Sequence, residues 1–387
     1  MNRRIKFLLS FLILFTFLPV FAGGPLEVRK GKALSFGKKT IVYRYDKGNL
    51  GQLSNEEAIE LVEELFSKFT EVKTANVKFK RDNPGFIDFD VNQKNFKPIL
   101  MPRTDKDLNG FTPIVFDEDG RLLDAYLGLG ASKATVGIGG PVVLKKGNRF
   151  SIPEAQIVLN GKFINGIDTR DDLESTLEIF KKAILHEIGH AIGLDHSQVN
   201  VEARQPGASQ ELKNSVPLMF PKGINELNEL KQDDISALSF LYPNKSELVN
   251  FGIVKGRVFR EDGTTPVLGA NVVLRNIDDP IDIAISCVSD FLANKSGSYL
   301  FFAVPPGKYT IEVEPIDPDF VSSSSVGPKV GPYTKNSNDK SFQDPVPKGY
   351  FTGAGKTITS NIANASVIEI NAGEVLEDLN IIAIVGE

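Results

Sequence analysis

The sequence predicts an α+β protein, in which a domain with a twisted mixed sheet and one long helix is followed by a small all-β sandwich. Helical and strand-like patterns alternate up to residue 243, and a polar break follows at residues 244–250. Beyond this break, short alternating runs recur between Gly, Pro and Asn turns, as is typical of a sandwich. The 387 residues, 41% of them hydrophobic, are enough for two cores. We therefore expect domains over residues 23–245 and 246–387.

The first residues have the pattern of an export signal. A basic head at residues 3–6 precedes an apolar run at residues 7–18, and small residues follow. We expect cleavage after Ala22, so that residues 1–22 form a signal peptide and the mature protein is secreted or lies in the cell envelope. A membrane anchor is the alternative, but the run is shorter than the roughly 20 residues that a spanning helix needs. No membrane contact is expected after signal removal.

Composition narrows the classes of partner. The chain has 44 basic and 49 acidic residues and a formal charge of −5, which gives no general affinity for nucleic acid or anionic lipid. Cys287 is the single cysteine, so no disulfide can form within the chain. A buried, unreactive thiol is its expected state. Stability is expected from core burial and bound metal.

The elements of the first domain follow from residue periodicity. A helix is predicted over residues 54–69, because Ser54 is a capping residue and apolar residues follow at helical spacing. Strands are predicted at TIVYRYD, ANVKFKR, PIVFD and EAQIVLN, beside the glycine-rich segment GLGASKATVGIGGP. The segment DDISALSFLYP predicts a closing helix.

A long helix is predicted from Asp172 to near Gly193. Asp171 or Asp172 would cap its first turn, and Gly193 would end it. Lys181 and Lys182 are interpreted as part of its solvated side. Its apolar stripe consists of Leu173, Leu177, Phe180, Ile184, Ile188 and Ala191.

All three histidines of the chain lie within residues 186–196. His186 and His190 are four residues apart, so a helix places both rings on one face, away from the apolar stripe. Gly193 permits a left-handed turn that swings the chain back, and His196 then becomes the third ligand. Three neutral imidazole nitrogens suit Zn²⁺ in a tetrahedral site whose fourth position stays open to water.

Glu187 follows the first ligand, which points its carboxylate beside the ion rather than at it. Zinc would activate a water molecule and Glu187 would accept its proton as general base, so the sequence predicts an exported zinc-dependent endopeptidase acting on proteins or peptides. The alternative is a non-catalytic secreted binding protein with a structural zinc site. Three ligands instead of four, with a base beside them, favour the enzyme. The oligomeric state does not follow from the sequence.

Two motifs resemble the metzincin metallopeptidases. HEIGHAIGLDHS, at residues 186–197, is similar to their zinc motif H-E-x-x-H-x-x-G-x-x-H, and its trailing Ser197 resembles the matrixin branch. VPLMFP resembles the matrixin methionine turn, which implies that Met219 forms a hydrophobic floor under the histidines. The resemblance also implies that Phe220 and Pro221 line the substrate pocket that follows the scissile bond. The first domain is therefore expected to be a matrixin-like catalytic domain.

The resemblance covers about residues 34–243 and implies that a substrate pairs in extended form with an exposed edge strand. TVGIGGPVV is similar in placement to that strand. The sequence departs from the matrix metalloproteinases in two respects. Matrix metalloproteinases bind a second zinc largely through histidine, for which this chain has no histidine left, and no cysteine precedes the site to act as their latency cysteine.

A weaker signal lies in DKDLNG, which matches the first half of an EF-hand calcium loop. Asp105, Asp107 and Asn109 would supply oxygen ligands. The twelfth position is Phe116 instead of Glu, which excludes an intact EF-hand. Calcium binding therefore competes with a second interpretation, a solvated acidic turn.

The carboxy-terminal domain resembles the carboxypeptidase regulatory-like, prealbumin-type sandwich over about residues 252–315. Strands are predicted at GIVKGRVF, GANVVLRN, GSYLFFAV and KYTIEVEP, a loop over residues 322–347, and further strands in SVIEINAGEVLEDLNIIAI. No chemistry follows from this resemblance. A stabilising appendage is the favoured role, and a module that binds carbohydrate, a cell surface or substrate is the alternative.

Overall fold

A computed structural model describes residues 24–101, 106–166, 175–316 and 346–384. It shows a mixed α/β structure with several sheets and few helices. The expected signal peptide and nearly all of the expected loop over residues 322–347 lie outside these ranges. No helix in the described ranges combines the length and the hydropathy needed to cross a bilayer.

The amino-terminal part is built around a mixed sheet. Its strand order is β4-β3-β5-β7-β6, with parallel neighbours except at the edge, where β6 runs antiparallel to β7. The elements are β1 (Val28–Arg29), β2 (Lys32–Ala33), β3 (Thr40–Tyr45), α1 (Asn55–Thr70), β4 (Lys78–Phe86), α2 (Lys97–Leu100), β5 (Thr112–Asp117), α3 (Arg121–Leu127), β6 (Gly137–Lys146), β7 (Arg149–Asn160), α4 (Leu177–Ala191), α5 (Gln210–Asn214) and α6 (Gln232–Leu241).

Both faces of this sheet are covered. Side chains of α1, α4 and α6 pack on one face in the larger core, and α2 and α3 close the other face in a smaller one. Helix α1 begins where the sequence predicts it, because the Ser54 side chain accepts from the Glu57 N–H while the Glu57 side chain binds the Ser54 N–H. Phe69 and Leu65 of this helix are buried, and each contributes about 2 kcal/mol through burial.

The described part of the long helix begins later than the sequence predicts. Thr176 caps it, with a side-chain oxygen that accepts from the Ile179 N–H at 3.2 Å. Asp171, Asp172 and Leu173 lie outside the described residues. The placement of Leu177 in the buried stripe is wrong: it is the first residue of α4 and is 44% exposed.

The carboxy-terminal part consists of two sheets. One has the order β10-β9-β12-β13 with β15 beside β12, and the other has the order β11-β8-β17-β14 with β16 beside β8. Between them lies a separate apolar core of residues from the 254–383 range. The strands are β8 (Gly252–Phe259), β9 (Ala270–Asn276), β10 (Ala284–Val288), β11 (Ser298–Val304), β12 (Gly307–Pro315), β13 (Gly349–Tyr350), β14 (Lys356–Thr357), β15 (Ile368–Ile370), β16 (Val375–Leu376) and β17 (Ile381–Ile382).

Candidate metal centre

Helix α4 supplies the first two histidines. The four-residue spacing sets the rings of His186 and His190 one turn apart, with centroids 4.6 Å from each other. The helix ends as predicted: Gly193 has φ 99°, and the Leu194 N–H turns back to donate to the Gly189 carbonyl at 2.9 Å.

The chain returns after this turn and brings in the third histidine. The His196 ring lies 4.7 Å from that of His190 and 5.2 Å from that of His186, centroid to centroid. One nitrogen from each ring lies within 4.8 Å of the others, so these three residues could hold one metal ion. The sequence prediction therefore named three residues that the structure brings together.

The ring nitrogens are arranged for ligation. The Nδ1 atoms of His186 and His190 each lie 2.9 Å from a backbone carbonyl oxygen, of Leu218 and Leu194. Donation from Nδ1 leaves a lone pair on Nε2, the tautomer that binds a metal. The Nε2 atoms of His190 and His196 are 3.1 Å apart. Two bonds of about 2.05 Å at a tetrahedral ion would separate such nitrogens by about 3.3 Å.

Electrostatics favour neutral rings. Burial lowers the pKa of His186 to about 4 and that of His190 to about 3, and it lowers the pKa of His196 well below the ordinary value. All three rings are thus uncharged at neutral pH, as metal ligation requires. The Nε2 atom of His196 faces that of His190, while its Nδ1 atom is buried without a hydrogen-bond partner.

Glu187 lies beside the histidines under the edge strand. Its side chain is buried, and it is not among the residues whose ligand atoms converge. Burial raises its pKa to about 8, opposed by a hydrogen bond from the Gly139 backbone N–H. Strand β6 can come this close only because Gly139 has no side chain: a Cβ there would lie 1.9 Å from the Glu187 carbonyl oxygen. Sequence reasoning did not identify this role of glycine.

Met219 lies under the ligand helix. Its sulfur packs against Gly189, where an added Cβ would be 2.4 Å from the Sδ atom. The turn at residues 216–221, which contains Met219, is held by two groups of hydrogen bonds. In the first, the Asp234 carboxylate of α6 accepts the backbone N–H groups of Leu218 and Met219 at 2.7 and 2.9 Å. In the second, the Met219 carbonyl accepts from Ser197, directly after the third histidine.

The two residues that follow Met219 differ in environment. Phe220 is buried in an apolar cluster with Val216, Val288 and Ile316, so its ring faces the carboxy-terminal sheet. Pro221 is partly exposed. Their assignment to a substrate pocket stays a prediction.

The interpretation of Lys182 as a solvated residue is wrong. It is 5% exposed, and its ammonium donates to the Asn225 side-chain oxygen. Burial lowers its pKa to about 8. Helical periodicity correctly placed Lys182 on the same face of the helix as His186. This face, however, is covered by a segment that is distant in sequence. Lys181 is partly exposed, as expected.

An amino-terminal segment also supports residues 191–196, the loop that leads from the second histidine to the third (the metal loop). Pro25 bridges to Leu194, the Leu26 N–H donates to the Gly193 carbonyl at 2.7 Å, and the Asp195 N–H donates to the Gly24 carbonyl at 3.1 Å. No sequence pattern indicated this pairing.

The predicted calcium ligands are only partly described. Asp105 lies outside the described residues. Asn109 donates its amide to the Ile99 carbonyl at 3.0 Å, and Glu154 accepts from the Gly110 N–H at 3.0 Å, which ties this loop to β7. Within the described ranges, Asp107 belongs to no group of three or more His, Cys, Asp or Glu residues whose ligand atoms converge. Calcium binding here stays a prediction.

Comparisons with known proteins add little. The sequence matches no protein-family model, and no curated protein matches it. One similar solved structure is the T6 backbone pilin of serotype M6 Streptococcus pyogenes, described as a modular three-domain structure decorated with variable loops and extensions. The identity is 16% and the TM-score 0.18, and the match covers 35% of this chain and 34% of the pilin. The chain thus matches about a third of the pilin's length, and this likeness carries no functional argument.

Proposed function

We propose that this protein is an exported, zinc-dependent endopeptidase of the matrixin-like metzincin type. The observation that carries the proposal is the convergence of three neutral imidazoles beside a buried carboxyl group, under an edge strand of the described sheet. When bound, the ion supplies Lewis acidity, which lowers the pKa of water and stabilises negative charge on a carbonyl oxygen.

The residues of the chain supply the rest of the chemistry. The carboxyl group of Glu187 lies beside the three histidines, where in its ionised form it would accept the proton of the attacking water and then deliver it to the departing amine nitrogen. The outer edge of β6 is unpaired in the described ranges, so an extended peptide can add to it through backbone hydrogen bonds. Met219 keeps an apolar surface beneath the rings.

The alternative, a binding protein with structural zinc, requires a closed coordination shell. A structural site usually has four protein ligands. In the described ranges the convergent group consists of three histidines, and Cys287 is buried in the sandwich, where its sulfur accepts from the Leu300 N–H. The open shell favours the enzyme.

The experiment uses protein without residues 1–22 and an unfolded protein substrate. We expect cleavage that a chelator abolishes and zinc restores. Glu187→Gln should lower turnover by about 10²- to 10⁴-fold while zinc binding persists. Glu178→Gln is the matched control, since it changes an exposed carboxylate of the same helix. Equal cleavage by wild type and Glu187→Gln, or cleavage that survives the chelator, would refute the proposal.

A further inference from the structure

The sheet β10-β9-β12 of the carboxy-terminal part is covered on both faces. Side chains of a strand alternate between the faces. One set, which includes Val272, Leu274 and Ile285, forms the core between the two sheets. The opposite set points towards the metal centre and is also buried or nearly so; it includes Asn271, Val273, Arg275, Ala284, Ser286 and Val288.

Two apolar side chains close in sequence to the metal centre, Val199 and Phe220, cover part of this second face. Val199, three residues after the third histidine, packs with Val273 and Ala284. Phe220, which follows Met219, packs with Val288. The segment that contains Met219 and the segment that follows His196 therefore both pack on the same sheet.

Asn200 is the polar anchor of that segment. It has a left-handed backbone with φ 55° and is 2% exposed. Its amide donates to Ser215 Oγ at 2.7 Å and to the Ile281 carbonyl at 3.0 Å, and its oxygen accepts from Arg275 Nη1 at 2.8 Å. Arg275 is itself fixed by Glu312, whose carboxylate lies 2.6 Å from its Nε.

A second polar anchor lies at Ser286. Its backbone N–H donates to Asp233 Oδ1 at 2.6 Å, and its hydroxyl accepts from the Gln198 N–H at 3.4 Å. Asp233 belongs to α6, the helix whose Asp234 holds the methionine turn. The sheet, the closing helix and the segment after the third histidine thus meet in one buried hydrogen-bond network.

We infer that this sheet is a positioning element of the metal centre, in which Arg275, acting through Asn200, holds the segment that fixes His196. The inference rests on the proposed function and goes beyond it, since the sandwich then serves the site itself instead of being an appendage. Residues that hydrogen-bond to metal ligands set ligand orientation, and their loss typically weakens metal binding by about 10- to 100-fold. Arg275 acts one residue further out, through Asn200, so the expected loss lies at the lower end of this range.

The test measures zinc affinity and the visible absorption of the cobalt-substituted, full-length mature protein. Arg275→Gln should weaken zinc binding at least about tenfold and change the cobalt spectrum, because the Asn200 segment loses its anchor. Lys348→Gln is the matched control. Lys348 forms ion pairs with Glu312 and Glu314 on the same sheet, at 3.3 and 3.6 Å. Its substitution should leave zinc affinity and the cobalt spectrum unchanged.

A second variant covers the case in which Arg275→Gln does not fold. Asn200→Gly keeps the left-handed backbone without strain and removes the contacts with Arg275 and Ser215, so it should give the same loss of affinity. A purely structural role would lower the melting temperature while zinc affinity and the cobalt spectrum stay as in wild type, and this result would overturn the inference. If wild type binds neither zinc nor cobalt, the proposed function fails, and the inference fails with it.

Discussion

Gly139 determines how closely the edge strand approaches the helix that carries the candidate base. An alanine there would place its Cβ 1.9 Å from the Glu187 carbonyl oxygen, a backbone atom that cannot rotate away. We expect Gly139→Ala to lower the free energy of unfolding by about 1 to 3 kcal/mol, the range typical of overpacking, and to abolish peptidase activity because β6 is displaced. Denaturant unfolding and a peptide-cleavage assay measure the two effects.

Gly140 provides the control for this prediction. It is the next residue of the same strand, and an added Cβ would meet no atom within 4 Å. Gly140→Ala should stay within about 0.5 kcal/mol of wild type. Similar losses in the two variants would mean that the strand tolerates no side chain at all, and the close-approach explanation would be wrong.

At the residue scale, sequence spacing was sufficient to predict which histidines converge, but it did not predict which residues surround them. The i, i+4 rule placed His186 and His190 together because helix geometry is local. Lys182 lies on the same face by the same rule, yet the Asn225 side chain that covers it is 43 residues away in the chain. Periodicity states which side chains share a face but not what covers that face.

At the element scale, the amino-terminal segment supports the loop between His190 and His196 through one isolated β-bridge and two backbone hydrogen bonds. A chain that starts at Glu27 lacks the bridge from Pro25 and the two backbone hydrogen bonds to the Gly193 carbonyl and the Asp195 N–H. Each such bond contributes about 1 kcal/mol, so the free energy of unfolding should fall by about 2 kcal/mol. Zinc affinity should also fall, because the loop between the second and third ligands loses its support.

The measurement is urea unfolding and zinc titration of chains that start at Gly23 and at Glu27. The longer chain retains every contact of the segment and serves as the reference. Equal zinc affinities would show that the turn at Gly193 holds the loop without help, which would contradict the role given to residues 24–26.

Elements with a strong local pattern were predicted, and strand β10, whose local pattern is weak, was not. Helix α1 has both a capping box and an apolar stripe, and strands β3, β5 and β7 are rich in apolar and β-branched residues. Strand β10 was missed because AISCV shows no alternation, and its small Ala284, Ser286 and Cys287 leave only a weak apolar run. Val199 and Phe220 pack on its outward face, contacts that no local pattern encodes.

At the scale of the whole molecule, buried carboxyl groups should make the metal-free fold less stable as pH rises above neutrality. Burial raises the pKa of Asp46 to about 8, and those of Glu27 and Asp233 to about 7. Between about pH 7 and pH 8 the folded state therefore holds protons that the unfolded state has released. The stabilising contribution of these groups is complete below their unfolded pKa values of about 4, and it is lost as pH rises from there through the folded pKa values.

Two other sets of groups limit this window. The histidines have folded pKa values below their unfolded value, so the fold loses stability as pH falls below about 6.5, whereas above pH 7 they add almost no pH dependence. Lys182, with a folded pKa lowered to about 8, acts in the opposite direction, since deprotonation favours the folded state at higher pH. A comparison of variants isolates the carboxyl effect from both.

Asp46 is the best group for that comparison, because it is fully buried and its oxygens accept the N–H groups of Phe116 and Val91. From pH 7 to pH 8.5, the free energy of unfolding of metal-free wild type should fall by about 1 kcal/mol more than that of Asp46→Asn. Asp119→Asn removes an exposed carboxylate and should follow wild type. Chemical denaturation at the two pH values measures this difference. Parallel pH profiles for wild type and Asp46→Asn would mean that Asp46 is ionised throughout, its charge stabilised by the two backbone N–H groups.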